Sequence, residues 1–340
     1  MTELSQRIEA LDRLAQWLSD TLNNPNHSDR ASLDQQITLA FHKNGWFARP
    51  EVEHALNYWS NHLQRQVLEA WTNEYAITTS QPKRVMLVLA GNIPMVGMHD
   101  VVSTFISGHQ ALIKCSASDA VLIPFLMNKL KQIDPSIADR IQVIEGIQKE
   151  FDAVLATGSN NSSRHFEEYF SRVPNVIRKN RTGVAILDGS ESKEALDGLM
   201  KDAFTYYGLG CRNVTKLYLP KGFDLDRIFE ASLNFQHLMD NKKYANNYTY
   251  HKALMMLERQ TFLENDLIVM REERSLLSPV SILNYEYYSN PEQLSEAIER
   301  NLDDIQCVLG KEHTPLGMAQ QPGLKDYADG VDTLDFLVNL

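Results

Sequence analysis

Of the three cysteines in the chain, Cys115, Cys211 and Cys307, only Cys211 stands on a glycine-flanked turn, within Tyr207-Gly208-Leu209-Gly210-Cys211-Arg212-Asn213. Residues without a side chain let a substrate come close to the backbone there. Arg212, next in the chain, favours the thiolate, which is the reactive form of the thiol. A thiolate in that setting attacks a carbonyl and carries the acyl group as a covalent thioester. The competing reading is a cysteine buried as a small hydrophobe. That is how Cys307, inside the apolar run Ile305 to Leu309, reads. Cys115, which follows Lys114 at the end of a strand, reads as structural too. The ten histidines show no zinc-ligand spacing with one another or with the cysteines, so no metal site is expected.

The elements around Cys211 follow from periodicity. Leu196, Met200, Ala203 and Tyr207 recur at three- and four-residue spacing and predict a helix over Glu194 to Tyr207. Gly208 and Gly210 end it, and Val214 to Leu219 alternates as a strand that Pro220 closes. Residues 1 to about 75 read as helices, carried by Leu11, Leu14, Trp17 and Leu18 and again by Leu56, Trp59, Leu63 and Val67.

From 84 to 187 the pattern changes to short apolar strands alternating with helices. Strands are expected at Val85–Ala90, Ala111–Lys114, Ile141–Ile144, Asp152–Ala156 and Val184–Leu187. Helices are expected over Val96–Ser107, from Ser118 as N-cap to about Gln132, and over Ser162–Ser171. That alternation predicts a parallel sheet with helices on both faces. Ligands of such sheets bind at the carboxyl ends of the strands, which brings Asn92, Lys114, Gly158 and Ser159 forward as candidates. Each also has a plain structural role open to it: a turn former, a solvated charge, a helix cap. Neither G-x-G-x-x-G nor G-x-x-x-x-G-K-[ST] occurs, so an ordinary Rossmann dehydrogenase and a P-loop kinase are both disfavoured. Arg178, Lys179 and Arg181 read either as a solvated run or as contacts for the phosphates of a dinucleotide, coenzyme A or phosphopantetheine.

Composition narrows the classes. The chain has 340 residues, 43% of them hydrophobic, and a formal charge of -11, which speaks against a nucleic-acid binder. No apolar run is long enough to span a bilayer and no signal sequence opens the chain. The odd, widely spaced cysteines point to a reducing, cytoplasmic setting.

Four segments, in order, resemble the long-chain acyl-CoA and acyl-protein thioester reductases of the aldehyde dehydrogenase superfamily, the family that makes aldehyde for bacterial bioluminescence. They are Leu89-Ala90-Gly91-Asn92-Ile93-Pro94, Ser107 to Ser116, Ala156-Thr157-Gly158-Ser159 and Tyr207 to Cys211. The resemblance spans roughly residues 80 to 340. It implies an α/β fold: a helical N-terminal segment (1–78), a Rossmann-like dinucleotide domain (79–187), a catalytic α/β domain (188–314) and a C-terminal arm (315–340). It assigns Cys211 as nucleophile, Asn92 to the oxyanion hole, Lys114 to the adenosine ribose, and Gly158 with Ser159 to the pyrophosphate, with Ser116 as a further cofactor-binding candidate.

Three departures from the family pattern sharpen the expected chemistry. The glutamate that activates water in hydrolytic relatives is missing from Ile177 to Gly183, so a thioester on Cys211 awaits reduction or transfer to another thiol. The acid that binds the ribose hydroxyls in NAD-preferring relatives is replaced by Ala117, which leans towards NADPH. Ser275 stands where an acid precedes a later family turn, Leu277-Ser278-Pro279. The expected activity is NADPH-dependent reduction of an acyl-CoA or acyl-carrier protein to an aldehyde, with a homo-oligomer or an acyl-transferring partner enzyme as associates. The alternatives are a cysteine acyltransferase without redox chemistry and a catalytically silent scaffold.

Overall fold

A computed structural model of the chain describes residues 3–78, 81–158 and 160–340. They fall into two units, residues 1–179 with 323–340 and residues 180–322.

The first unit opens with four helices, α1 (Glu3–Asn23), α2 (Arg30–Lys43), α3 (Arg49–His62) and α4 (Arg65–Thr72). The apolar stripes expected from spacing are buried: Leu11, Leu14, Leu18, Leu56 and Leu63 have at most 1% of their surface exposed. The alternating part follows as β1 (Arg84–Val88), α5 (Met98–Ser107), β2 (Gln110–Lys114), α6 (Leu122–Ile133), β3 (Ile141–Val143), β4 (Ala153–Thr157), α7 (Asn160–Phe170) and β5 (Asn175–Arg178). The five strands form a parallel sheet in the order β3-β2-β1-β4-β5. β1 lies in the middle, which is why Val85 to Val88 reads as an unbroken apolar run.

Two local expectations are corrected here. Ser118 does not cap α6. It sits in a short 3-10 turn, Ala117–Asp119, and its own N–H is capped by the Ser116 hydroxyl at 3.3 Å. Ser116, Ser118 and Asp119, close together in the chain, favour such a turn over an early helix start. Nor is the end of the chain an extended arm throughout, because α12 (Thr333–Val338) is helical and packs on α5. Asp332 caps it by accepting the Asp335 N–H at 2.8 Å. His109 accepts the Lys83 N–H on Nδ1 (3.1 Å) and so carries its proton on Nε2, which donates to Leu337 O (2.8 Å). Burial lowers the pKa of this histidine, in keeping with a neutral ring. Trp71 donates to the Tyr327 hydroxyl and Tyr75 to Asp332, at 2.8 and 2.7 Å, so residues 323–332 are tied to α4 and the turn after it.

The second unit holds β6 (Thr182–Ile186), α8 (Lys193–Phe204), β7 (Val214–Pro220), α9 (Asp226–Ser232), α10 (Lys242–Leu257), β8 (Leu263–Glu264), β9 (Val269–Glu272), β10 (Ile282–Tyr288), α11 (Pro291–Glu299) and β11 (Ile305–Leu309). Its sheet runs β11-β6-β7-β10-β9-β8, parallel except at β8–β9. The strand expected at Val184–Leu187, read from sequence as the last of the first series, is β6 and belongs to this second sheet. Its pairing with β7 depends on Gly183, whose N–H donates to Asn213 O at 2.9 Å. A Cβ there would stand 2.6 Å from Arg212 O. Among the described residues no helix is long and apolar enough to cross a membrane, and no group of three His, Cys, Asp or Glu is arranged to hold a metal.

Candidate active site

Cys211 follows α8 and precedes β7, as its sequence neighbours imply. The Ser192 hydroxyl starts α8 by accepting the Ala195 N–H at 3.2 Å. The helix ends at Phe204, three residues sooner than its periodicity predicts, and the chain tightens into a 3-10 turn over Thr205–Gly208. Tyr206 and Tyr207 both adopt φ 57°, the left-handed region that side chains disfavour. Gly208 continues at φ 75°, and a Cβ added to it would lie 3.0 Å from Ala203 O.

The Asn213 side chain bonds both ends of this turn. Asn213 is fully buried, and its amide nitrogen lies 2.8, 3.2 and 2.9 Å from the carbonyl oxygens of Asp202, Ala203 and Thr205. Its Oδ1 accepts the Gly210 N–H at 2.7 Å. Helix end and thiol segment are thereby fastened to one residue. On the other side the Asn213 carbonyl takes the Gly183 N–H and the Thr182 hydroxyl (3.0 Å). The Cys307 Sγ reaches Arg212 O at 3.7 Å, so Cys307, half-buried on β11, is a neighbour of the thiol segment rather than a core residue. Cys211 and Arg212 are half-buried as well.

Asp202 links the same turn to a later segment. Its carboxylate accepts the backbone N–H groups of Gly317 and Ala319, so both oxygens are engaged. Burial pushes its pKa up to about 6, against the opposing pull of those two donors.

In the first unit Asn92, Lys114, Ser116 and Gly158 all come to the carboxyl ends of β1, β2 and β4. Asn92 is exposed on the turn Gly91–Gly97, and Lys114 is half-buried at the last position of β2. Gly91 lies so near the next turn that a Cβ on it would meet Ser116 Cβ at 2.8 Å. Gly158 is similarly close to α7, with Ser162 and Phe166 at 2.9 Å from a Cβ built on it. Ser159 lies outside the described residues.

Asp119 carried no expectation, yet it joins the turns after β1 and β2. Its Oδ2 accepts the Met95 N–H at 2.7 Å, which holds Met95 at φ 56°. Its Oδ1 is buried without a hydrogen-bond partner. Burial raises the carboxyl pKa to about 7, with the Met95 N–H opposing. Burial, reinforced by the Asp119 charge, also pushes the Cys115 thiol up to about 12, which favours its less reactive thiol form.

The basic run divides. Arg178 is buried, with Nη1 2.6 Å from Asp100 Oδ2 and Nη2 2.7 Å from Thr333 Oγ1. Lys179 pairs with Glu167 at 2.9 Å on the surface, and Arg181 donates to Ile305 O at 3.3 Å. Arg178 is therefore structural, neither a solvated charge nor an open phosphate contact.

The fold is that of the aldehyde dehydrogenases. Aldehyde dehydrogenase 21 from Physcomitrella patens, solved with the product succinate, matches with TM-score 0.65 at 13% identity, over 91% of this chain and 74% of that one. Betaine aldehyde dehydrogenase from Staphylococcus aureus, solved with NAD+, gives TM-score 0.63 at 13% identity, over 91% and 70% of the two chains. The putative aldehyde dehydrogenase PutA from Anabaena variabilis gives 0.62 at 13%, over 94% and 82%. No curated protein sequence matches the chain. Residues 3–255 match the acyl-CoA reductase (LuxC) family, and the chain belongs to that family. It is thus an oxidoreductase acting on acyl or aldehyde groups.

Proposed function

We propose that the chain reduces an acyl thioester, acyl-CoA or acyl-carrier protein, to an aldehyde at the expense of NADPH, through a thioester on Cys211. The observation that carries this reading is the Cys211 turn. It is a thiol segment in a family of acyl-CoA reductases, ended by glycine and held at Gly210 by the Asn213 side chain. The Cys211 thiolate attacks the thioester carbonyl. The tetrahedral oxyanion collapses with departure of the coenzyme A or carrier thiolate, which takes up a proton, and the acyl group stays on Cys211. The oxyanion is assigned the Cys211 N–H and, on the resemblance, the Asn92 amide. One such donor is worth roughly 3 kcal/mol of the barrier.

A dinucleotide fits the first unit. Its parallel sheet ends in turns whose glycines, Gly91 and Gly158, have no room for a side chain, and a lysine closes β2. Lys114 and Ser116 would hold its adenosine end and Gly158 its phosphates, at the start of α7. Bound NADPH would supply a hydride to the acyl carbon. Preference for NADPH over NADH rests on Ala117, where an acid would repel the 2'-phosphate. Slow hydrolysis of the thioester is expected because Ile177 to Gly183 holds no carboxylate, and because Asp202, the carboxylate tied to this turn, is buried with each oxygen accepting a backbone N–H, from Gly317 and Ala319.

The test is incubation with a panel of acyl-CoAs and NADPH, measuring aldehyde. The wild-type chain should form aldehyde and Cys211→Ala none. Aldehyde from Cys211→Ala would remove Cys211 from the reaction. Acyl transfer to an added thiol with no NADPH oxidation would make the chain a transferase.

A further inference from the structure

The turn that carries Cys211 is not self-supporting. Tyr206 and Tyr207 occupy the left-handed region in succession, and such backbone persists only where its surroundings hold it. Asn213 supplies four of the hydrogen bonds around it. Its amide nitrogen spans the carbonyls of Asp202, Ala203 and Thr205, which are left over at the end of α8. Its Oδ1 fixes Gly210, the residue before the thiol. Behind it, Gly183 and Thr182 of β6 engage the Asn213 carbonyl, so its backbone is anchored in the sheet. Asn213 is fully buried, so its own side chain does not meet a substrate.

We propose that Asn213 is the positioning residue for Cys211: it joins the end of α8 to the thiol segment and sets the direction from which the thiolate meets an acyl carbonyl. The proposal rests on the reading of Cys211 as acyl acceptor. Attack on a thioester demands an aligned approach and a placed oxyanion. Alkylation by a small reagent demands only a reachable thiolate. A loosened turn should therefore separate the two reactions.

The experiment uses the full chain as wild type, Asn213→Ala and Asn213→Ser. For each, two rates at Cys211 are followed by mass: acylation by the acyl-CoA that loads wild type fastest, and alkylation by iodoacetamide. Thermal melting reports folding. Asn213→Ala should lose about a hundredfold in acylation, with alkylation within about threefold of wild type. Asn213→Ser, which keeps a hydroxyl for one of the four partners, should lose about tenfold in acylation. It decides the matter if the alanine variant does not fold. Equal losses in both rates, or acylation at the wild-type rate in a folded variant, would overturn the proposal. A wild-type chain that alkylates but takes up no acyl group would instead overturn the reading of Cys211 as acyl acceptor, and this inference with it.

Discussion

Arg178 Nη1 lies 2.6 Å from Asp100 Oδ2, and both side chains are buried, with 5% and 6% of their surface exposed. The pair joins the end of β5 to the first turn of α5, and Thr333 brings α12 to the same guanidinium. Arg178→Ala leaves Asp100 charged, buried and without its cation. It should cost about 3–5 kcal/mol in urea unfolding, because desolvation of the survivor is no longer offset. A loss below about 1 kcal/mol would mean that water reaches the pair.

The Lys114 prediction concerns the cofactor. Lys114→Ala should weaken NADPH binding by roughly 1.5–3 kcal/mol, the value of a charge-assisted contact, as read by fluorescence titration. Acylation of Cys211 should change little, because on the proposed reading transfer of the acyl group to the thiol needs no dinucleotide. Unchanged NADPH affinity removes Lys114 from the site. A clear preference for NADH sinks the argument from Ala117.

Asp119 gives the stability curve a definite slope. Its carboxyl titrates at about 7 when folded, against an ordinary value of 3.8. Between those values the native chain keeps the proton and the unfolded chain has lost it. Its contribution to stability therefore falls as pH rises from about 4 to about 7. Asp119→Asn removes the titration and can keep an acceptor for the Met95 N–H. Urea midpoints at about pH 5 and about pH 8 should show the variant gaining on wild type at the higher pH. A difference independent of pH would place the titration elsewhere.

Gly183→Ala tests the seat of the thiol segment. The new Cβ would lie 2.6 Å from Arg212 O, a backbone atom that cannot rotate away. Overpacking of this kind costs roughly 1–3 kcal/mol, and here it would push β6 from the turn. Stability and the acylation rate should fall together, in contrast to the split expected at Asn213.

Much of this was legible in the sequence because it depends on local pattern. The glycines around Cys211 and the alternation after it locate the thiol between helix and strand. The apolar runs at β1, β2 and β4 predict the parallel sheet. What was not legible depends on partners far along the chain. Val184 to Ile186 is as apolar as β1, and nothing in its composition says that it pairs with β7 and β11. Arg178 sits in a basic run that reads as solvated or as phosphate-binding, and its burial becomes evident only with Asp100, 78 residues earlier. Asn213 looks like one more turn residue until its amide is seen against three carbonyls. Asp119 is hidden in the same way, since its partner Met95 precedes it by 24 residues.

The central claim is that Cys211 holds an acyl group which water does not release. Its most direct test is the intact mass of the chain after mixing with an acyl-CoA, with NADPH withheld and then added. General-base catalysis contributes about a hundredfold or more, so without it the thioester on Cys211 should persist. It should vanish with formation of aldehyde once NADPH is supplied, and never form on Cys211→Ala. Rapid release of free fatty acid in the absence of NADPH, or an adduct retained by Cys211→Ala, would contradict the account.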